Sequence, residues 1–333
     1  MPTKWPKNWA SWEFYKNMPT MTHSFSSVRG SSRLTREEGG SVREQKKEHV
    51  SVMTKEVLEY LAPKDGDVVV DATFGAGGHS RALAAVADIV LISIDADPSA
   101  ASGHTAHTVV EGNFGNLDAI LKKSLPAGRR VDKVLFDLGW NSSQLQSGRG
   151  FSFLHDEPLL MSYGKKPASG FSAKEIINEW GEATLADVFF GYGEERYARR
   201  IARAIVARRA RQAIHTSAEL VEIIKSSVPA AYRNGRIHPA TRTFQALRIA
   251  VNDELGVLER GLAAAWQHLS CGGRIAVISF HSIEDRVVKK RFAVYAKQGG
   301  RLVFKKPLLP SREEIQHNPR ARSAKLRVIE KVC

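Results

Sequence analysis

Apolar positions in the first third of the sequence repeat with two alternating periods. Val52 to Leu61 has the spacing of an amphipathic helix, and Asp67 to Asp71 reads as a short buried strand. A glycine loop follows, then a helix from about Ser80 to Ala87. "DIVLISID" predicts a second strand ending at Asp95, "HTVVEGNF" a short third, and Val131 to Asp137 ("VDKVLFD") a fourth. Strands alternating with helices imply an α/β fold with a parallel, doubly wound sheet. The alternation stops near residue 141. Residues 141–240 are loop-rich at first ("NSSQLQSGRGFSF") and helical later, the pattern of an inserted helical subdomain. The α/β pattern returns with a long amphipathic segment, where Phe244, Leu247, Val251, Leu255, Leu258, Leu262 and Trp266 share one stripe. "CGG" reads as its stop signal. "RIAVISF" predicts a fifth strand, a basic helix follows, and "RLVFKK" and "AKLRVIEK" predict a closing pair. The expected organisation is a discontinuous sheet domain, 49–140 and 241–333, interrupted by a helical domain, 141–240.

Residues 1–48 lack either period. They carry Trp5, Trp9 and Trp12 among scattered Ser, Gly and Lys, and read as a poorly ordered extension. No apolar core of a secretory signal is present, and Glu13, Glu37, Glu38, Glu44 and Glu48 argue against a mitochondrial transit peptide. A misassigned upstream start explains the segment equally well.

Charge narrows the function classes. The chain of 333 residues has a formal net charge of +14, which favours a polyanionic partner, with nucleic acid the leading candidate. No run of about 18 apolar residues predicts a membrane helix. Cys271 and Cys333 stand far apart, offering neither a disulfide framework nor a zinc knuckle, and suit a reducing cytoplasm. The 11 histidines show no zinc-ligand spacing, so no metal is expected.

The stretch "VVVDATFGAGGHSRAL" carries the first candidate chemistry. Glycine at the top of a strand costs conformational entropy and admits close approach to the main chain. Strand, glycine turn and helix N-terminus together form a cradle for a nucleotide-like ligand. Asp95, ending the next strand, suits a ribose diol. Gly75 and Gly77 match a dinucleotide fingerprint, but Ser80 stands where its third glycine belongs. The run from Asp71 to Gly77, D-x-x-x-G-x-G, matches instead the first motif of S-adenosylmethionine-dependent methyltransferases. A dinucleotide site and a purely structural turn remain the alternatives. Asp137 puts a carboxylate at the end of strand four, where ligands of open α/β sheets bind. It could orient an exocyclic amine, a poor nucleophile until an acceptor localises its lone pair. It could equally cap a turn or hold the cofactor.

Two further segments stand out. "EERYARRIARAIVARRAR" (194–211) carries seven arginines against two glutamates around a narrow stripe of Tyr197, Ile201 and Ile205. Arg199, Arg200 and Arg203 are candidates for RNA phosphate contact, the alternative being a solvated face. "SFHSIEDR" (279–286) places His281 at the top of the sheet, either as a proton acceptor or as a structural residue.

The motifs "DATFGAGGHS", "FDLG", "RGFSF", "YGEERYARRIARAIV", "HPATRTFQALRIAVNDEL", "CGGRIAVISFHSIEDRVVK" and "NPRARSAKLRV" together resemble the RsmH (MraW) family over His49 to about Lys331. That family methylates the N4 amine of a cytidine in the decoding centre of 16S ribosomal RNA. The resemblance implies a Rossmann-type class I methyltransferase sheet with an inserted helical subdomain, S-adenosylmethionine as cofactor, and the small ribosomal subunit as cytoplasmic partner. It implies cofactor contacts from Gly77, Gly78, His79, Asp95, Phe114, Asp137 and Gln144. Asn141 joins Asp137 and His281 as a candidate for the chemistry, and Trp140 as a candidate to stack on the base. Two segments depart from the family pattern. Trp140 to Gln144 replace V-S-S-P-Q, and Leu160 to Gly164 replace D-M-R-M-D. The altered loops leave open an RNA-binding ribosome-assembly factor with little or no turnover. The oligomeric state stays open too, a homodimer among the options.

Overall fold

A computed structural model of the chain describes residues 50–97, 108–139, 147–164 and 166–333. The expectation for residues 1–48, and those for Trp140, Asn141 and Gln144, lie outside the described residues. From Val50 to Cys333 the chain forms one compact unit.

Helix α1 (Thr54–Leu61) leads into β1 (Val68–Asp71), a V-V-V-D run buried at every position. Helix α2 (Gly78–Val86) crosses to β2 (Val90–Asp95). Next come β3 (Thr108–Glu111), a 3-10 turn at Phe114–Asn116, α3 (Leu117–Ser124) and β4 (Val131–Asp137). The pairings β1–β2, β2–β3, β1–β4 and β4–β5 are parallel, β5 being Leu269–Ser279. Burial on both faces is why these strands read as apolar runs rather than alternations. After α11 (Ser282–Ala296), β6 (Gly300–Leu302), the short α12 (Arg312–His317) and β7 (Lys325–Lys331) complete the sheet in the order β3-β2-β1-β4-β5-β7-β6. The strand β7 is antiparallel to both β5 and β6, so the predicted closing pair forms. The fold is the Rossmann-type α/β fold expected.

Between β4 and β5 lies a helical layer, α4 (Ala173–Glu179), α5 (Glu182–Gly193), α6 (Ala198–Arg209), α7 (Ser217–Ser227), α8 (Ala230–Arg233) and α9 (Thr241–Asn252), followed by α10 (Glu254–His268), whose Gly261 packs against Phe114 and, on the sheet, Phe136. Capping boxes at Ser172/Glu175 and Thr216/Glu219 satisfy the first-turn donors of α4 and α7. The layer has its own apolar cluster, including Ile176, Phe189, Ile201, Leu220, Phe244 and Val251. A separate cluster, including Val57, Leu83, Leu91, Leu135, Ile278 and Leu326, packs on the sheet. The helical cluster therefore extends past residue 240 into α9.

Three expectations need correction. The amphipathic stripe from Phe244 to Trp266 is two helices, broken where Asp253 takes a left-handed backbone, φ 47°. Arg260 binds the Asp253 carboxylate at 3.0 Å and the Asp253 carbonyl accepts from Val257, so the break is held on its C-terminal side. "CGG" does not cap the helix. Helix α10 stops at His268, Leu269 is already extended, and the glycines lie inside β5 beside a register shift against β4. Finally, Cys271 and Cys333 form a disulfide across 62 residues of sequence, with Cα atoms 5.6 Å apart. Their separation along the chain hid this, because β7 runs back antiparallel to β5 and returns the C-terminus to the strand's start.

Candidate active site

The carboxyl ends of the parallel strands surround a cleft of about 810 Å³. Sheet-side residues lining it include Thr73, Gly75, Asp95, Phe114, Asp137 and Gly139. This is where an open α/β sheet binds its ligand, since the strand ends diverge there and leave backbone groups facing out.

The glycine loop is shaped by its backbone. Gly75 and Gly77 have φ of 55° and 73°, a region L side chains rarely adopt. Their roles differ. A Cβ on Gly75 would meet only the Thr73 carbonyl at 4.0 Å and would otherwise stand in open space, in the cleft. A Cβ on Gly77 would lie 2.7 Å from the buried Phe74 ring, and one on Gly78 would collide with the Ser51 side chain. Bare backbone at 77 and 78 thus lets the loop pack on itself, whereas at 75 it leaves room for a ligand. Asp71 is fully buried below the loop, accepting from the Ser80 hydroxyl at 2.7 Å and the Thr73 N–H at 3.2 Å. It braces the turn from behind and does not line the cleft.

Asp95 lines the cleft. Its Oδ2 accepts from the Gly75 N–H at 2.7 Å and its Oδ1 from the Asp97 N–H at 2.8 Å. Burial pushes its carboxyl above the usual range, against these hydrogen bonds. Each oxygen keeps a lone pair for a ligand hydroxyl. Phe114 lies beyond β3, locked edge-on against Phe136 with centroids 5.5 Å apart, and presents an apolar wall.

Asp137 ends β4, its backbone N–H bonded to Thr73 Oγ1 at 2.7 Å. His79, in the first turn of α2, lies behind it with Nε2 3.3 Å from Asp137 Oδ2. The distance suits an ion pair, but the ring is not aligned for a hydrogen bond. Burial pushes the His79 ring's pKa down, yet the carboxylates of Asp137 and Asp71 outweigh burial and hold it above its ordinary value. Asp137 Oδ1 is buried with no partner among the described residues. An acceptor in that state calls for a donor, from a ligand or from ordered water.

The far wall was not legible in the sequence. The break at Asp253 turns Asn252 and Glu254 into the cleft, joined by Tyr163. Arg248 grips both oxygens of Glu254, at 2.8 and 3.1 Å, and the Tyr163 hydroxyl donates to Glu254 at 2.9 Å. Burial lifts the Tyr163 phenol well above its usual value, so it stays a donor. Asn252 accepts from the Tyr163 N–H and donates to the Met161 carbonyl. The departing segment at 160–164 is therefore built into the cleft wall by specific bonds. From "SFHSIEDR" it is Glu284 that lines the cleft. His281 is outside that lining and serves as the N-cap of α11.

The matching family model is the MraW methylase family, over residues 46–332. The chain belongs to the MraW methylase family. A relative from Rhodospirillum centenum, "Ribosomal RNA small subunit methyltransferase H", is 46% identical, covering 85% of this chain and 92% of its own. One of the same name from Neorickettsia sennetsu is 44% identical, covering 85% and 96%. An rRNA methylase of known structure from Streptococcus thermophilus aligns with a TM-score of 0.35 at 12% identity, over 84% of this chain and 94% of that one.

For this MraW-family chain S-adenosylmethionine is the cofactor, and the cleft fits it. The space over Gly75, the hydroxyl-accepting Asp95 and the Phe114 wall suit a chain, a ribose and a flat base in turn. Among the described residues, Glu254, His281 and Glu284 have ligand atoms within 4.8 Å of one another. Arg248 already occupies both Glu254 oxygens, which makes the cluster a poor cation cage.

The arginine helix is exposed along one side. Arg199, Arg200 and Arg203 are all exposed, while Ala198, Ile201, Ala202 and Ile205 are buried. Arg208 and Arg209 turn inward instead. Arg209 donates to the Ile177 and Trp180 carbonyls, and Arg208 to Gln212. Part of the charge run is thus structural, and the rest faces solvent.

Proposed function

We propose that this protein transfers a methyl group from S-adenosylmethionine to the N4 amine of a cytidine in the decoding centre of 16S ribosomal RNA. The observation that carries the reading is a methyl-donor cleft whose lining includes a carboxylate, Asp137, with one buried oxygen, Oδ1, that has no hydrogen-bond partner among the described residues. The names of the relatives and the exposed arginines support an RNA substrate.

When bound, the cofactor supplies an electrophilic methyl carbon whose bonding pair leaves with sulfur. Gly75, Asp95 and Phe114 hold it, with Gly77, Gly78 and His79 shaping that site and Gln144 adding a further contact. Asp137 or Asn141 accepts an N–H of the target amine, which orients the nitrogen and localises its lone pair. Trp140 stacks on the extruded cytosine, a contact worth roughly 1–3 kcal/mol. Arg199, Arg200 and Arg203 contact the RNA backbone. His281 serves as the N-cap of α11 rather than as a proton acceptor. The helical layer, 141–240 in outline, forms the substrate side of the cleft.

Mass spectrometry of 16S RNA from a deletion strain tests the reading. Loss of one methyl from one decoding-centre cytidine, restored by the purified protein acting on small subunits, is the expected result. Unchanged RNA refutes it. Cofactor binding and subunit binding without transfer would establish the assembly-factor alternative.

A further inference from the structure

The strand ends divide the cleft. Gly75, Asp95 and Phe114 follow β1, β2 and β3. A cofactor held by these three fills that side, which leaves the β4–β5 side for the acceptor. Two carboxylates stand there, Asp137 at the end of β4 and Glu284 just after β5.

An amine that becomes methylated has two N–H bonds. One acceptor can orient it, and a second must take a proton as positive charge develops on nitrogen. We infer that Glu284 is this second acceptor and that it also selects cytidine over uridine. The inference rests on the function proposed above.

Glu284 is 4% exposed, yet it lines the cleft. Its Oε2 is committed to the backbone, accepting from Phe280 N–H at 2.9 Å and His281 N–H at 3.3 Å. Its Oε1 has no backbone donor. His281 Nε2 lies 3.0 Å from it, not aligned as a hydrogen bond. His281 Nδ1 accepts from the Glu284 N–H, so in the neutral ring the proton sits on Nε2. That tautomer has no free lone pair with which to take a proton from an amine, whereas the carboxylate has. Burial would push the Glu284 carboxyl up, but His281 and Arg248 outweigh burial and hold it below its usual range. Glu254, within 4.8 Å, does not compete, because Arg248 and Tyr163 already occupy its oxygens.

The step conserves atoms and electrons. The N–H bond breaks, the proton joins Glu284 Oε1, and the electron pair remains on nitrogen. The same geometry excludes uracil. Its O4 bears no hydrogen and would face two carboxylates, whereas a cytosine amine offers a donor to each.

The test is Glu284→Gln. Glutamine keeps an oxygen for the cap of α11 and so preserves the capping box. With cofactor saturating, single-turnover transfer to small subunits should slow on the order of 10²-fold, the scale of a lost proton acceptor. Cofactor affinity by calorimetry should stay within about twofold. In competition binding, subunits carrying uridine at the target should bind wild type more weakly than cytidine subunits. The glutamine amide can donate to O4, so the variant should lose that preference. Glu284→Asp, which keeps the charge, should retain the preference and fall between the two in rate, and it serves should the glutamine variant misfold. A wild-type rate in Glu284→Gln overturns the inference, as does a slow variant that still discriminates like wild type. A wild-type protein that methylates no small subunit overturns the proposed function instead.

Discussion

Gly75 and Gly77 lie two residues apart in one loop, both left-handed, yet adding one methyl to each should do opposite things. Alanine at either position carries a left-handed strain of roughly 1–2 kcal/mol. At Gly77 the new Cβ also lands 2.7 Å from the Phe74 ring, which is 3% exposed and has no room to retreat. Overpacking of that kind adds about 1–3 kcal/mol. Gly77→Ala should therefore lose about 2–5 kcal/mol, a Tm drop of roughly 4–20 °C at 2–4 °C per kcal/mol. At Gly75 the Cβ meets nothing closer than 4.0 Å and projects into the cleft. Gly75→Ala should lose only the strain, roughly 2–8 °C, but its methyl should displace the cofactor and weaken it about tenfold or more, or about 1.4 kcal/mol. Differential scanning calorimetry and isothermal titration with S-adenosylhomocysteine separate the two quantities. If Gly75→Ala binds like wild type, the ligand does not lie over this loop. If Gly77→Ala is as stable as wild type, the packing argument fails.

Two further outcomes are expected. Arg199, Arg200 and Arg203 changed together to Gln should flatten the salt dependence of subunit binding by up to about 2–3 units of logarithmic slope, with cofactor affinity unchanged; a wild-type slope would make these arginines a solvated face only. His79 has a folded pKa raised above its unfolded value, so its pairing with Asp137 and Asp71 stabilises the fold fully below the unfolded pKa and is lost as pH rises through the folded one. The stability gap between wild type and His79→Gln should accordingly narrow as pH rises above the ordinary imidazole value, by thermal melts, and a constant gap would refute it.

The strands were legible because their physics is local. A run such as V-V-V-D is the pattern of a strand buried on both faces, as in a parallel sheet, and the prediction for β4 matches its ends at Val131 and Asp137. The glycine loop, Asp95 and Asp137 were legible for the same reason, since strand ends in such a sheet face the ligand. Tertiary structure decided the rest. The apolar stripe from Phe244 to Trp266 runs straight through its break, and Asp253, though it tolerates the left-handed region better than most residues, does not by itself dictate it. That break turns Asn252 and Glu254 into the cleft to meet Tyr163, 91 residues from Glu254. In "SFHSIEDR" the histidine draws the eye, but the capping geometry of α11 takes His281 for the helix and leaves Glu284 facing the cleft. The pairing of Cys271 with Cys333 depends likewise on β7 running back along β5. Local pattern tells which residues a sheet buries and where it opens. Which side chains meet across the opening depends on contacts between segments far apart in sequence, and no local period encodes them.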